Sequence, residues 1–359
     1  MEINLKDTLR ALRQKKNVTQ EALAAYLGIT QQSVGKWERG EGFPDITLLP
    51  RIALYFDVTV DELLDVGRAR IEDRIQAYLD ESMRYKNIGE NEKNLALWER
   101  AYDEFPNDCR VMDGLMNAIN REANYPCPKE DAERIISLGE RILQTSTDVE
   151  LRENAIQTLC YTYHFMDDEE NALRYANMGG SIHVTRQDLR ATVQKGEAGV
   201  KACQAYIASL ISHASIQAGW MVQKGEFSPE EKVAVYQFCV DLHKLLLSDG
   251  NVGFYAYDFS QDYFFIAGCY AGMKDAERTI EALEQCAEYA AITADLDGEL
   301  QYTAPMVNRL KYDPTETSKN FKGNACNLRL QGLEWSGFDF VREDERFRRI
   351  VEQLKQHAE

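Results

Sequence analysis

The stretch Thr19–Gly40, TQEALAAYLGITQQSVGKWERG, decides the fold of the first part of the chain. Thr19 is a good N-cap for a helix over 20–27, and Glu21 lies in its first turn, where the helix dipole favours an anion. Gly28 can take the left-handed conformation that ends a helix, and Ile29 plugs the turn behind it. Thr30 then caps a further helix running to about Arg39, which Gly40 and Gly42 end. Ala24 lets the two helices approach closely, while Val34 and Trp37, at i and i+3, face a core. Working outward, Leu5, Leu9 and Leu12 recur at helical spacing, and Asn17–Val18 breaks that helix. On the other side, Pro44–Asp45 opens a fourth helix carrying Leu48, Leu49, Ile52 and Leu54. Thr59 with Glu62 forms a capping box for a short fifth helix ending near Leu64.

A helix, a tight glycine turn and a capped second helix form the motif that lays its second helix in the major groove of duplex DNA. At these residues the sequence resembles the Cro/C1-type repressors, also called XRE-type regulators. The resemblance covers about residues 5–64 and is carried by TQEALA…LGIT…S…WERG. The start Thr30-Gln31-Gln32-Ser33 is especially similar to lambdoid repressors that read bases with glutamines. The resemblance implies that Gln31, Gln32 and Lys36 reach base edges, glutamine pairing two-point with adenine and lysine donating to guanine. It likewise implies that Ser33 and Gln20 meet phosphate oxygens beside the cap Thr30. It further implies an internal ion pair between Arg13 of the first helix and Glu38 of the recognition helix. One departure stands out. Where such regulators often carry basic residues that grip the backbone, this chain has Glu41-Gly42-Phe43, which predicts a weaker monomeric grip offset by dimerisation.

From about Arg68 the pattern changes to long amphipathic helices, expected near 70–87, 91–105, 109–123, 128–145, 148–166, 168–178, 185–194, 197–224, 229–248, 258–272 and 275–294. Starts near 71, 109 and 149 lie about 40 residues apart, the period of stacked helical hairpins. Only Trp98, Ala101, Phe105 and Pro106 resemble the end of a tetratricopeptide B helix, so an irregular solenoid is expected rather than a regular array. Residues 298–340 are rich in Gly, Asn, Thr, Tyr and Pro and break the rhythm. A stretch of that length is either functional or packed as a cap. Residues 341–356 return to a helical period, with Phe347, Ile350, Val351 and Leu354 on one face. The fold class is therefore all-α: a five-helix head at 1–66, a tetratricopeptide-like body at 67–298, and an irregular segment with a capping helix at 299–359.

A chain of 359 residues with 44% hydrophobic and 28% charged residues reads as a soluble multidomain protein. No apolar run is long enough for a membrane span and no signal peptide precedes the head, so a cytoplasmic location is expected. The formal charge is −18. Residues 1–40 nevertheless carry seven Lys and Arg against four Asp and Glu, so an acidic body should repel DNA everywhere except at the head. The eight cysteines are scattered without a CxxC pair, which predicts free thiols and no metal site. No phosphate-binding glycine loop, GxSxG or HExxH is present, and the five histidines are dispersed. Neither an enzyme nor a cofactor is expected. Two function classes remain: a sequence-specific, dimeric regulator of transcription, or an interaction scaffold whose head does not read DNA.

Solenoids of helical hairpins present grooves suited to an extended peptide or partner protein. On the helix over 148–166, Asn154, Gln157, Tyr161 and His164 form a polar stripe at offsets 0, 3, 7 and 10, and Asn117 and Asn120 form a weaker pair on an earlier helix. Amide side chains can bond both groups of a peptide backbone. An ordinary solvent face explains the stripe more simply. A head of this type on such a body also resembles, in architecture alone, the peptide-sensing regulators of Gram-positive bacteria.

Overall fold

Five short helices open the chain, and each ends at a residue that tolerates left-handed backbone: Asn17, Gly28, Gly40, Asp57 and Asp65, with φ between 56° and 76°. They are α1 (Leu5–Lys15), α2 (Gln20–Leu27), α3 (Gln31–Arg39), α4 (Leu49–Phe56) and α5 (Val60–Leu63). At Gly28 the N–H of Ile29 reaches back to the carbonyl of Ala24 at 3.0 Å, and at Gly40 the N–H of Glu41 reaches Lys36 at 2.9 Å. These bonds satisfy carbonyls that the helix ends would orphan. Thr19, Thr30 and Thr59 cap the following helices as expected, the last in a capping box with Glu62. Leu5, Leu9, Leu23, Ala24, Leu27, Val34, Trp37, Ile52 and Leu63 close the core of the head.

The fourth helix starts later than the sequence suggests. Asp45 caps a single 3-10 turn at Ile46–Leu48, and α4 begins only at Leu49, with Pro50 in its first turn. The inward stripe then falls on Ile52, Ala53 and Phe56, one position off Leu54, whose side chain is exposed.

The computed structural model describes residues 5–65, 68–122, 127–319 and 321–359, so the boundary expected at 66–67 lies outside the described residues. The chain divides into two compact units, Met1–Ser82 with Ala96–Leu115, and Met83–Leu95 with Met116–Glu359. The division passes through α6 (Arg68–Asn87), α7 (Asn91–Glu104) and α8 (Cys109–Glu122). In the first unit, Trp98, Ala101 and Phe105 are buried, and the Trp98 indole donates to Ser82 Oγ at 3.0 Å.

In the second unit successive helices pack on one another as in a solenoid, with little contact only at the step from Glu169–Ala176 to Arg186–Val193. The order is α9 (Lys129–Thr145), α10 (Val149–Phe165), α11 (Glu169–Ala176), α12 (Arg186–Val193), α13 (Gly196–Lys224), α14 (Pro229–Leu246), α15 (Ala256–Gly272) and α16 (Ala276–Ala294). Their ends fall within two residues of those expected. Segment 298–340 is a packed cap. A two-residue hairpin pairs β1 (Leu300–Gln301) with β2 (Lys311–Tyr312), and Tyr302, Ala304 and Val307 are buried beside it. The cap also contains α17 (Ala325–Gly332), opened by an Asn324–Asn327 capping box that sequence periodicity does not reveal. Finally α18 (Glu345–His357) buries Phe347, Ile350 and Leu354, and Arg346 ties it to Glu277 and Glu284 of α16 at 2.7 Å each. Among the described residues all eight cysteines are free and none forms a metal cluster with acids or histidines.

Gly114 on α8 lies flat against Trp98: a Cβ there would stand 2.5 Å from three carbons of the indole. Alanine normally favours a helix over glycine by about 1 kcal/mol. Here a rigid, buried ring must move, so Gly114→Ala is expected to destabilise the first unit by about 1–3 kcal/mol net. Faster amide exchange in α7 and α8 would report it; unchanged or slower exchange would refute the packing argument.

Candidate nucleic-acid interface

The recognition helix α3 is divided sharply between two faces. Val34, Gly35, Trp37 and Glu38 are buried, whereas Gln31, Gln32, Lys36 and Arg39 are exposed and Ser33 is half-buried. Gln32, Lys36 and Arg39, at i, i+4 and i+7, share one outer face. Thr30 Oγ1 accepts from the Ser33 amide and contacts Ser33 Oγ at 2.9 Å, so both hydroxyls are engaged in the cap that aims the start of α3.

Glu38 fixes the orientation of the helix. Arg13 grips its carboxylate two-point, Nε to Oε1 at 2.6 Å and a terminal nitrogen to Oε2 at 3.0 Å, and also donates to the Val18 carbonyl at 2.9 Å. The Arg13 and Glu38 side chains are 15% and 3% exposed, so the pair lies inside the head. The expected ion pair is therefore present. Burial disfavours ionised Glu38, but the hydrogen bonds from Arg13 and Gln20, with the Arg13 charge, outweigh it and hold the carboxyl below its ordinary pKa.

Gln20, expected on phosphate, also belongs to this network. Its Nε2 donates to Glu38 Oε2 at 2.8 Å. One amide hydrogen is thus directed inward, and the other, with the free backbone amides opening α2, remains for an anion. The sequence reading missed Arg39. It sits at the exposed end of α3, and Glu41 holds it two-point at 2.8 Å and 2.8 Å. The departure noted at Glu41 thus acts on a neighbouring base: a carboxylate occupies the exposed guanidinium of Arg39. A basic residue in the last turn with an acid two positions on is the sequence signal for it. The head also exposes Phe43, Ile46 and Leu54.

In the body, Gln157 and Tyr161 line an open cleft of about 530 Å³ that the Gly179–Gly180 turn closes at one side. Asn154 and His164 do not line it, nor do Asn117 and Asn120. His164 packs edge-on to Trp220 of α13, with ring centroids 6.1 Å apart. The stripe is therefore divided between two surroundings.

Removing Arg13 leaves a buried carboxylate uncompensated, so Arg13→Ala is expected to cost about 3–5 kcal/mol in the head. Because the folded pKa of Glu38 is lowered, the pair's contribution is complete above the unfolded carboxyl pKa of about 4.3 and is lost as pH falls through the folded value. Amide exchange of α1 and α3 in wild type and variant should differ most near pH 7 and converge in acid. A difference independent of pH would refute the assignment.

The helix-turn-helix family model matches residues 9–63. Over 64 residues the chain is 47% identical to the HTH-type transcriptional activator BcrR of Enterococcus faecalis, covering 18% of this chain and 30% of that one. Over 66 residues it is 33% identical to the prophage-derived HTH-type transcriptional regulator YonR of Bacillus subtilis, covering 18% and 61%. The chain thus spans less than two-thirds of either relative. A solved structure, Bacillus thuringiensis PlcR in complex with the peptide PapR7 and DNA, aligns over 81% of this chain and 95% of that one, at 12% identity and a TM-score of 0.32. The N-terminal segment of this chain is a helix-turn-helix domain of the XRE type.

Proposed function

We propose that this chain is a sequence-specific regulator of transcription that binds duplex DNA as a homodimer and whose helical body senses a peptide or protein. The observation that carries the reading is the divided recognition helix: the Arg13–Glu38–Gln20 network locks one face, and Gln31, Gln32 and Lys36 stand unobstructed on the other. A rigid helix with exposed amide and amine tips is suited to reading base edges, because each two-point pair discriminates only if its side chain is held in register. Thr30, Ser33 and Gln20 are assigned to the backbone at the two helix starts.

The Arg39–Glu41 pair favours the scaffold reading, since it withdraws a cation from the face that would meet phosphate. One experiment separates the two. Binding of the full chain to a randomised duplex library should select a motif, and Gln32→Ala should lose about 1–3 kcal/mol of discrimination at one base pair. Gln20→Ala should weaken all sequences about equally. Glu41→Gln frees Arg39 for one more phosphate, so the slope of log K against log salt should steepen by about 0.9. No salt-dependent binding to any duplex would leave the scaffold reading standing.

A single head covers about half an operator, and paired heads should sit about 34 Å apart on one face of the duplex. Apolar side chains that a dimer could bury are available in the body around α12, where Ile182, Val184, Leu189 and Val193 are exposed. Phe43, Ile46 and Leu54 offer a smaller area on the head. Light scattering is expected to give a dimer on a palindromic site; a monomer both free and bound would refute it. Gln157 and Tyr161 are the stripe residues best placed to meet an extended ligand.

A further inference from the structure

A cavity of about 230 Å³ opens between α13, α14 and α15, lined by Ser215, Trp220, His243, Asp258, Asp262 and Phe265 among others. It exceeds the ~150 Å³ cavities that admit a benzene ring and is smaller than the 300–1,000 Å³ typical of whole drug-sized ligands. It therefore suits one side chain or one small molecule.

Three of its lining side chains carry buried polar atoms without partners. Buried Asp262 Oδ2, His243 Nε2 and Ser215 Oγ make no hydrogen bond. His243 is 1% exposed, and its Nδ1 lies 3.1 Å from the carbonyl oxygen of Cys239. A carbonyl only accepts, so Nδ1 carries the proton. Burial disfavours the imidazolium, and Nε2 is left as a bare lone pair on a side chain that lines the cavity. Each buried acceptor without a donor costs about 1–3 kcal/mol. Nature leaves few such atoms unmatched, and three on one cavity point to something that fills it.

The chain does not supply the missing donor. Lys244 Nζ is bonded to Tyr263 at 3.1 Å. Arg329 of α17 is packed over the rings of Tyr257 and Phe264; its charge favours ionised Asp262, but its buried Nε finds no hydrogen-bond partner and it forms no ion pair with Asp258 or Asp262 among the described residues. A metal ion is not indicated, because no group of acids and histidines is arranged to hold one among the described residues. What fits is a group that only donates, carries positive charge and has an apolar stem. Ammonium has three donors and guanidinium five, with no acceptor, and Trp220, Tyr236 and Phe265 offer ring faces for the cation and its methylenes.

We propose that this cavity binds an alkylammonium or guanidinium group, seated on Asp262, Asp258 and His243. The proposal rests on the sensor reading for its regulatory meaning and specifies that reading's ligand chemistry. The acids show what the cation would do. Burial, with Asp258 alongside, pushes the Asp262 carboxyl up to about 8, and burial pushes Asp258 up to about 6. The other titratable groups around them are Tyr236, Cys239 and His243 on α14, Arg329 on α17, and Tyr255 and Tyr302 beside Asp258, and α13 brings only neutral side chains to the cavity. Near pH 7 a seated cation ionises Asp262, so uptake releases a proton.

The test uses the full chain and four probes: N-acetyl-lysine methylamide, N-acetyl-arginine methylamide, the neutral norleucine counterpart, and free cadaverine. Calorimetry in two buffers of different ionisation enthalpy should show a cationic probe binding with proton release, and norleucine at least tenfold weaker. Asp262→Asn should lose at least tenfold in affinity with a ligand-free melt near wild type, because burial already keeps that carboxyl neutral near pH 7, and Asp258→Asn should lose less. Preference for a blocked amino acid identifies a peptide's basic side chain as the source, and preference for cadaverine a free amine; either supports the site. Equal binding of norleucine, undiminished binding by Asp262→Asn, or no binding of any probe at millimolar concentration overturns it. Duplex affinity separates this from the sensor reading. If a probe binds but leaves DNA affinity unchanged, the site stands and the sensor reading falls. If a peptide changes DNA affinity as strongly in Asp262→Asn as in wild type, the sensor reading stands and the site falls.

Discussion

Glu38 places a carboxylate inside the smallest core of the molecule, and a buried charge is tolerable only when its lone pairs are met. Arg13 and Gln20 meet them from α1 and α2. Three helices are thereby pinned at one point, and the outer face of α3 is fixed as a by-product. The glycine and threonine caps set where each helix begins and ends, but they do not set how α3 is rotated about its own axis. The apolar contacts of Val34 and Trp37 constrain that rotation loosely, because hydrophobic burial has no direction. A two-point guanidinium–carboxylate contact is directional. The same argument explains why Gly35 is buried here: a Cβ would approach an Arg39 nitrogen to 3.1 Å and Gln20 Oε1 to 3.5 Å, crowding the side chains beside the network.

The body obeys a different rule. Its stability comes from neighbour-to-neighbour packing, and close approach is secured by small residues against large ones. Gly139 lies where a Cβ would fall 2.8 Å from Leu159, and Gly332 where it would fall 2.5 Å from Phe264. Against this tight packing, the cavity bounded by Asp258 and Asp262 is an exception that the fold does not need. Unsatisfied acceptors weaken a core, so a sequence selected for stability alone would carry apolar side chains there.

Much of this architecture is legible in the sequence because it is written in local signals. Helix spacing located α6 to α16, and Thr-, Gly- and Asn-rich boundaries located the head's helices. What escaped depends on partners distant in sequence or on shifts of one residue. Leu54 reads as a core residue until the 3-10 turn at Ile46–Leu48 delays α4 and rotates it outward. The short α17 is held by its cap and by tertiary contacts, with too few turns to show a period. The stripe from Asn154 to His164 is real as a helical face, yet α11 and α13 give its two ends different neighbours. Asp258 and Asp262, four residues apart on α15, look like an ordinary solvated pair; only the packing of α13 and α14 takes them out of water. Arg39 and Glu41 are adjacent enough to have been paired from sequence, but nothing local states which way the chain turns after Gly40.

The cap carries a consequence for how the molecule is made. Asn87 donates to the Thr315 carbonyl at 2.8 Å, a contact between residues 228 positions apart, and the Lys319 amide reaches the Lys86 carbonyl at 2.8 Å. Gly89, with φ +69°, accommodates the Phe321 carbonyl, which a Cβ would approach to 2.1 Å. A ribosome adds about 5–20 residues per second, so on the order of ten to fifty seconds separate the emergence of these partners. The contacts within residues 5–65 can close during that interval, whereas the end of α6 waits for the last part of the chain. Synthesis therefore presents the helices of the head before the body is sealed, and truncation anywhere before residue 315 leaves that seam open.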